Sequence, residues 1–105
     1  MRGSSYIVGA PVDWSTVKPK VIRALKDGTF QHEVRNAIDT KNLLQMGAVT
    51  ADDVIQVLRN ARGNDHSVSP HHRDPDIEVN IVKRQGWYIK FYFVDPDTIF
   101  ISVHQ

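Results

Sequence analysis

The sequence contains no cysteine. Disulfides, thiolate-held zinc and a cysteine nucleophile are therefore all excluded, and the chain suits a reducing, cytoplasmic setting. No stretch approaches the roughly 18 apolar residues of a membrane-spanning helix, and no signal peptide is recognisable, so no membrane association is expected. Gly-rich phosphate loops, a nucleophile elbow and a glycosidase-type carboxylate pair are missing as well. There is no internal repeat and no low-complexity segment. Neither sign of charge dominates: 13 Lys and Arg stand against 12 Asp and Glu, a formal net charge of +1 that by itself points to no partner.

What is present fits a single domain of 105 residues, 41% of them hydrophobic, enough for one modest core. The opening Met1-Arg2-Gly3-Ser4-Ser5 has the look of an expression tag, and residues 1–14 read as a flexible or partly tag-derived lead. Charge is unevenly spread. Residues 1–63 carry nine Lys/Arg and six Asp/Glu, whereas residues 64–105 carry four and six, together with four of the five histidines. The second half can thus change sign near neutrality as His66, His71, His72 and His104 protonate.

The hydrophobic period divides the chain in the same place. Ser15 or Thr16 can cap a first helix, with Pro19 near its start. Val17, Val21, Ala24 and Leu25 share a face of that helix, and Lys26-Asp27-Gly28 ends it. A second helix is expected from about Gln31 to Met46, with Val34, Ala37, Ile38 and Leu44 as its apolar stripe and His32 as a capping or surface residue. Thr50-Ala51-Asp52-Asp53 reads as a capping box for a third, carrying Val54, Ile55, Val57, Leu58 and Ala61. After Gly63 the period becomes two. Ile77, Val79 and Ile81 alternate with Glu78 and Asn80, a second strand runs from Trp87 to Val94, and a third from Ile99 to Val103. Arg84-Gln85-Gly86 and Asp95-Pro96-Asp97 are the turns between them, and Asp65 to His72 reads as an edge strand. The expected class is α+β, with N-terminal helices packed on a three- to four-stranded antiparallel sheet.

If Ile99, Ile101 and Val103 pack against the helices, His104 points the other way. The same alternation sets Glu78 against Ile77, Val79 and Ile81, and sets Tyr88, Lys90 and Tyr92 against Trp87, Ile89, Phe91 and Phe93. One face would then present Glu78, Tyr88, Lys90, Tyr92 and His104 together. A carboxylate, an imidazole, phenols and an ammonium are the groups that metal-free phosphodiester cleavage requires: a base, an acid and a cation to steady the phosphorane. A merely solvated sheet face fits the same pattern. In Ser69-Pro70-His71-His72-Arg73-Asp74-Pro75-Asp76, His and Asp at short spacing could hold a divalent metal. Its two prolines equally suit a solvated loop, and no metal or other cofactor is assigned. The helix cations Lys18, Lys20, Arg23, Lys26, Arg35, Lys41, Arg59 and Arg62 could meet phosphates or simply solvate the surface.

The order and spacing of several blocks carry a resemblance. They run from Val17-Lys18-Pro19-Lys20-Val21 through Leu44-Gln45-Met46-Gly47 and Asp52-Asp53-Val54-Ile55-Gln56-Val57-Leu58. They continue at Asp65-His66-Ser67, Ile77-Glu78-Val79, Trp87-Tyr88-Ile89-Lys90-Phe91 and Ile99-Phe100-Ile101-Ser102-Val103-His104. In these the chain resembles the MqsR-type (motility quorum-sensing regulator) toxins, within the RelE-like ribonuclease toxins. The resemblance implies a RelE-like fold, a hydrolase of mRNA that acts as the toxin of a toxin-antitoxin system, and a cognate antitoxin protein. Tyr88 matches a family active-site tyrosine. His66, Glu78 and His104 stand where the family has lysine, glutamine and lysine, and a histidine can act as a base at neutral pH where a lysine ordinarily cannot. The catalytic set expected on this basis is His66 or Glu78 as general base, His104 as general acid and Tyr88 as a phosphate or leaving-group contact. Lys90, Tyr92 and Arg73 are the expected RNA-binding residues. The reading from a different class is a non-catalytic protein- or RNA-binding module that uses the exposed sheet face.

Overall fold

Asp13 opens the first helix, α1 (Trp14–Asp27), by accepting a hydrogen bond from the Thr16 backbone N–H on its side chain. The structure, a computed structural model, describes residues 13–33 and 42–105. The lead expected over residues 1–14 ends earlier than its last residue: Trp14 is helical, buried, and donates its indole N–H to the Ala61 carbonyl at 2.9 Å. Starting the helix at Trp14 also puts Pro19 inside it, where no proline N–H reaches back to the Ser15 carbonyl. Gly28 ends α1 in the left-handed conformation at φ 76°, returning its N–H to the Ala24 carbonyl.

A strand stands where a helix was expected. β1 (Phe30–His32) pairs in parallel with the last strand of the chain, and at the other end of the expected stretch the described residues form a short helix, α2 (Leu43–Met46). Gln31 and His32 are thus extended, and the apolar stripe of Val34, Ala37 and Ile38 lies outside the described residues, as do Arg35 and Lys41. The third helix, α3 (Ala51–Asn60), has its capping box formed: Asp53 N–H donates to the Thr50 hydroxyl, and Thr50 N–H donates to the Asp53 carboxylate.

The rest is sheet: β2 (His66–Pro70), β3 (Glu78–Arg84), β4 (Trp87–Val94) and β5 (Asp97–His104). Spatial order is β1-β5-β4-β3-β2, five strands among the described residues rather than three or four, antiparallel except for the parallel β1–β5 pair. The α+β class holds, with a mixed sheet. Gln85 and Gly86, both at positive φ (50° and 84°), form the two-residue turn of the β3–β4 hairpin, as the twist of paired strands favours.

Val17, Val21 and Leu25 of α1 and Val54, Ile55 and Leu58 of α3 pack on Val82, Ile89, Phe91, Phe100 and Val103 of the sheet. Ile101 and Val103 of the expected row on β5 are buried, but Ile99 is only partly so, and Phe100 takes the place in the core that regular alternation would have given Ile99. The cause is a β-bulge: Phe91 pairs with Phe100 but Lys90 with Ser102, leaving Ile101 as an extra residue. Before the bulge Ile99 pairs with Tyr92, on the face away from the helices; after it Val103 pairs with Ile89, in the core.

Candidate active site on the sheet face away from the helices

Register decides which side chains meet, because residues directly opposite on paired strands point to the same face. Tyr88 is opposite His104 on β5 and opposite Lys83 on β3, so the three form one rung across three strands. The next rung is Ser102, Lys90 and Ile81. The Tyr88 and His104 rings lie 5.1 Å apart at 20°, stacked, and the Lys83 ammonium is 5.8 Å from the centre of the Tyr88 ring. Tyr88, Lys90 and His104 are each half-buried.

Glu78 and His66 are not part of this group. Lys83 pairs with Tyr88, so the odd positions of β3 share its face and Glu78, even, points to the helix side. The even row of β3, Asn80 and Val82, is the one paired with Phe91 and Ile89 of the core, so Val79 and Ile81 are not the helix-facing row that alternation suggested. His66 is opposite Val82, on the helix side too. Its Nε2–H donates to the Asn80 side-chain oxygen at 2.8 Å, and its ring lies 5.1 Å from that of Trp14. There it satisfies Asn80, which is only 2% exposed. Close by, hydrogen bonds from Thr16 and then Ser15 hold the Asp13 carboxyl below its ordinary 3.8, with a smaller contribution from His66.

The opposite end of the same face is built around a residue that sequence reasoning placed on a solvated loop. His71 is buried; its Nε2–H donates to a Glu33 carboxylate oxygen at 3.0 Å, and its Nδ1 accepts the Arg73 backbone N–H at 3.1 Å. Both ring nitrogens are thereby used and the tautomer is defined. Its ring sits edge-on to Tyr92 at 5.0 Å and is stacked on the exposed His72 at 4.7 Å. Tyr92 shares the face of Tyr88 and Lys90 but belongs to this second cluster. Arg73 is exposed and enters it through its backbone. Among the described residues no group of three or more His, Asp or Glu is gathered as metal ligands would be. His32, expected as a cap, lies in β1 and accepts a hydrogen bond on Nδ1 from the Asn42 amide at 2.9 Å; burial lowers its pKa below 6.5.

Lys83 was missed by sequence reasoning, although its place follows from the turn. A two-residue hairpin at Gln85–Gly86 pairs Arg84 with Trp87, so Lys83 must pair with Tyr88. The same counting carries Glu78 to the level of Phe93, away from Tyr88.

The molecule is thus an α+β protein whose mixed sheet, five-stranded among the described residues, is packed on one face by helices and carries, on the other, a stacked Tyr–His pair with Lys83 beside the tyrosine and Lys90 one rung along. Comparison with protein-family models, curated proteins and solved structures finds no match to this chain. Among the described residues no helix is long and apolar enough to cross a membrane.

Proposed function

We propose that this chain is a RelE-like endoribonuclease, the toxin of a cytoplasmic toxin-antitoxin pair, cutting mRNA by 2′-hydroxyl attack without a metal. The observation that carries the reading is the stacked Tyr88–His104 pair with Lys83 on its far side and Lys90 one rung along. An imidazole, a phenol and two ammonium groups on a sheet face make an acid–base set within a field suited to phosphate. Aromatic rings beside lysines on a sheet are also what single-stranded RNA uses for stacking and charge contact.

The roles change from the sequence expectation, because Glu78 and His66 belong to the other face. In this reading His104 is the base. It takes the proton of the 2′-hydroxyl, the freed oxygen attacks the adjacent phosphorus, and the bond from phosphorus to the 5′-oxygen breaks. Tyr88 gives its proton to that leaving oxygen, while Lys83 and Lys90 offset the charge of the phosphorane. The products are a 2′,3′-cyclic phosphate and a 5′-hydroxyl.

The test is incubation of the purified protein with single-stranded RNA in EDTA, with analysis of the product ends. Cyclic phosphate ends on RNA, an inert DNA of the same sequence, and a loss of about 10²–10⁴-fold in rate in His104→Ala are expected. Full activity in His104→Ala, equal cutting of DNA, or inhibition by EDTA would overturn the reading. RNA bound but left intact would make the face a non-catalytic RNA-binding surface instead. The antitoxin part predicts a tight complex with the product of an adjacent gene, one that suppresses cleavage.

A further inference from the structure

On the other side of the molecule, α1 and α3 enclose a groove of about 430 Å³ lined by Lys18, Pro19, Ile22, Arg23, Lys26 and Arg59. Its chemistry differs from that of the sheet face in two respects. Among the described residues no aromatic ring lines it, and its floor of Pro19 and Ile22 is apolar. Four of the six lining residues are cations, and among the described residues the carboxylate paired with them is Asp27, 3.0 Å from Arg23. Four positive charges less that one leave +3 around a small apolar floor.

The cations are placed by the fold. The Lys18 ammonium donates to the Arg59 carbonyl at 2.6 Å and to the Ala61 carbonyl at 3.3 Å, fastening the C-terminal end of α3 to α1. Those acceptors are neutral carbonyls, so the formal charge of Lys18 stays uncompensated. Lys18, Ile22 and Lys26 recur every fourth residue along one face of α1, and the two lysines are about 12 Å apart at 1.5 Å per residue. Lys26 and Arg59 are exposed and make no ion pair among the described residues.

We infer that this groove docks an acidic, amphipathic helical segment of a partner protein. Carboxylates two helical turns apart would meet Lys18 and Lys26, a third would meet Arg59, and a small aliphatic side chain between them would cover Pro19 and Ile22. A nucleic-acid backbone supplies the negative charge but nothing apolar for the floor, and its bases find no ring to stack on here. Opposite charge across the contact sets the choice of partner and speeds association, and both weaken with salt. This docking site stands apart from the RNA reading and needs no part of the Tyr88–His104 face.

The experiment uses the whole protein and a fluorescein-labelled helix-forming peptide of Glu, Leu and Ala, monitored by anisotropy and by amide shift mapping. Binding should weaken at least tenfold in the Lys26→Glu, Arg59→Glu double variant and remain unchanged in Lys83→Glu, with shifts centred on residues 18–26 and 59. Both substitutions of the double variant are at exposed positions in the last turns of α1 and α3, so it should fold as the parent does and melt only slightly lower, by the loss of a cation from each helix C-terminus. A peptide of the same design with Lys for Glu should not bind. Equal binding by the double variant, shifts centred elsewhere, or displacement of the peptide by single-stranded RNA with RNA shifts in the same groove would overturn the assignment.

Discussion

Tyr88 has a stacked imidazole on one side and an ammonium on the other, each delivered by a different strand. In the proposed reaction Lys83 acts on the charge that develops at phosphorus, so Lys83→Gln should lower the RNA cleavage rate on the order of 10²-fold. Lys83→Arg, which keeps the charge, should retain most of it; a rate in Lys83→Gln equal to wild type removes Lys83 from the reaction. His71 presents the opposite case. Its two nitrogens are both engaged, and its side chain and that of Glu33 are 7% and 10% exposed. His71→Ala deprives a largely buried carboxylate of its imidazole donor, which should cost about 1–3 kcal/mol in denaturant unfolding. His72→Ala, at an exposed ring, should change stability much less. The difference between two adjacent histidines could not be read from a loop bracketed by prolines, since it depends on Glu33, 38 positions away in sequence.

At the scale of elements, the clearest local signals were those that close on themselves. The Thr50–Asp53 capping box needs only four consecutive residues, and α3 begins where they indicate. Thr50→Ala should lower stability by about 1 kcal/mol in denaturant unfolding, with an unchanged fold by circular dichroism. Leu58, fully buried between helix and sheet, should cost about 2–5 kcal/mol as Leu58→Ala. If Leu58→Ala proves no worse than Thr50→Ala, the packing of α3 on the sheet through Leu58 is wrong. β1 failed to announce itself for the converse reason. Three residues, Phe30–His32, are too few to display a period of two, and their partner is β5, at the other end of the chain. The β4–β5 bulge was equally hidden. Its extra residue, Ile101, looks like one more member of an apolar alternation, yet it is what moves Ile99 and Val103 to opposite faces.

For the molecule as a whole, pH should act on stability through His32. Burial lowers its pKa from the ordinary 6.5, so the unfolded chain binds the proton more readily than the folded one. The stability His32 contributes is therefore complete above about pH 6.5 and is lost as the pH falls through that value toward the lower folded-state one. His32→Gln should flatten this part of the stability curve in melts between about pH 7 and pH 5; an unchanged curve in the variant would exclude His32 as its origin. The Asn42 amide that donates to His32 ties β1 to the start of α2, so the loss is expected to loosen that junction first.

The sequence by itself determined what depends on near neighbours: the α+β class, α1 and α3 with their apolar faces, and the four strands of the second half. It also determined that Tyr88, Lys90 and Tyr92 share a side, because alternation within one strand is a covalent fact. Half of the register lay within reach too, since the Gln85–Gly86 turn alone places Lys83 beside Tyr88 and removes Glu78 from it. Only the tertiary structure decided that His104 stacks on Tyr88. Counted from the Asp95–Pro96 turn without a bulge, Tyr88 would face Val103; the extra Ile101 shifts the ladder by one and brings His104 opposite instead. The same long-range pairing put His66 under Asn80, on the helix side, and drew Glu33 to His71. A side-chain period of two makes every such one-residue shift a change of face, and only the packed strands fix where the shift occurs.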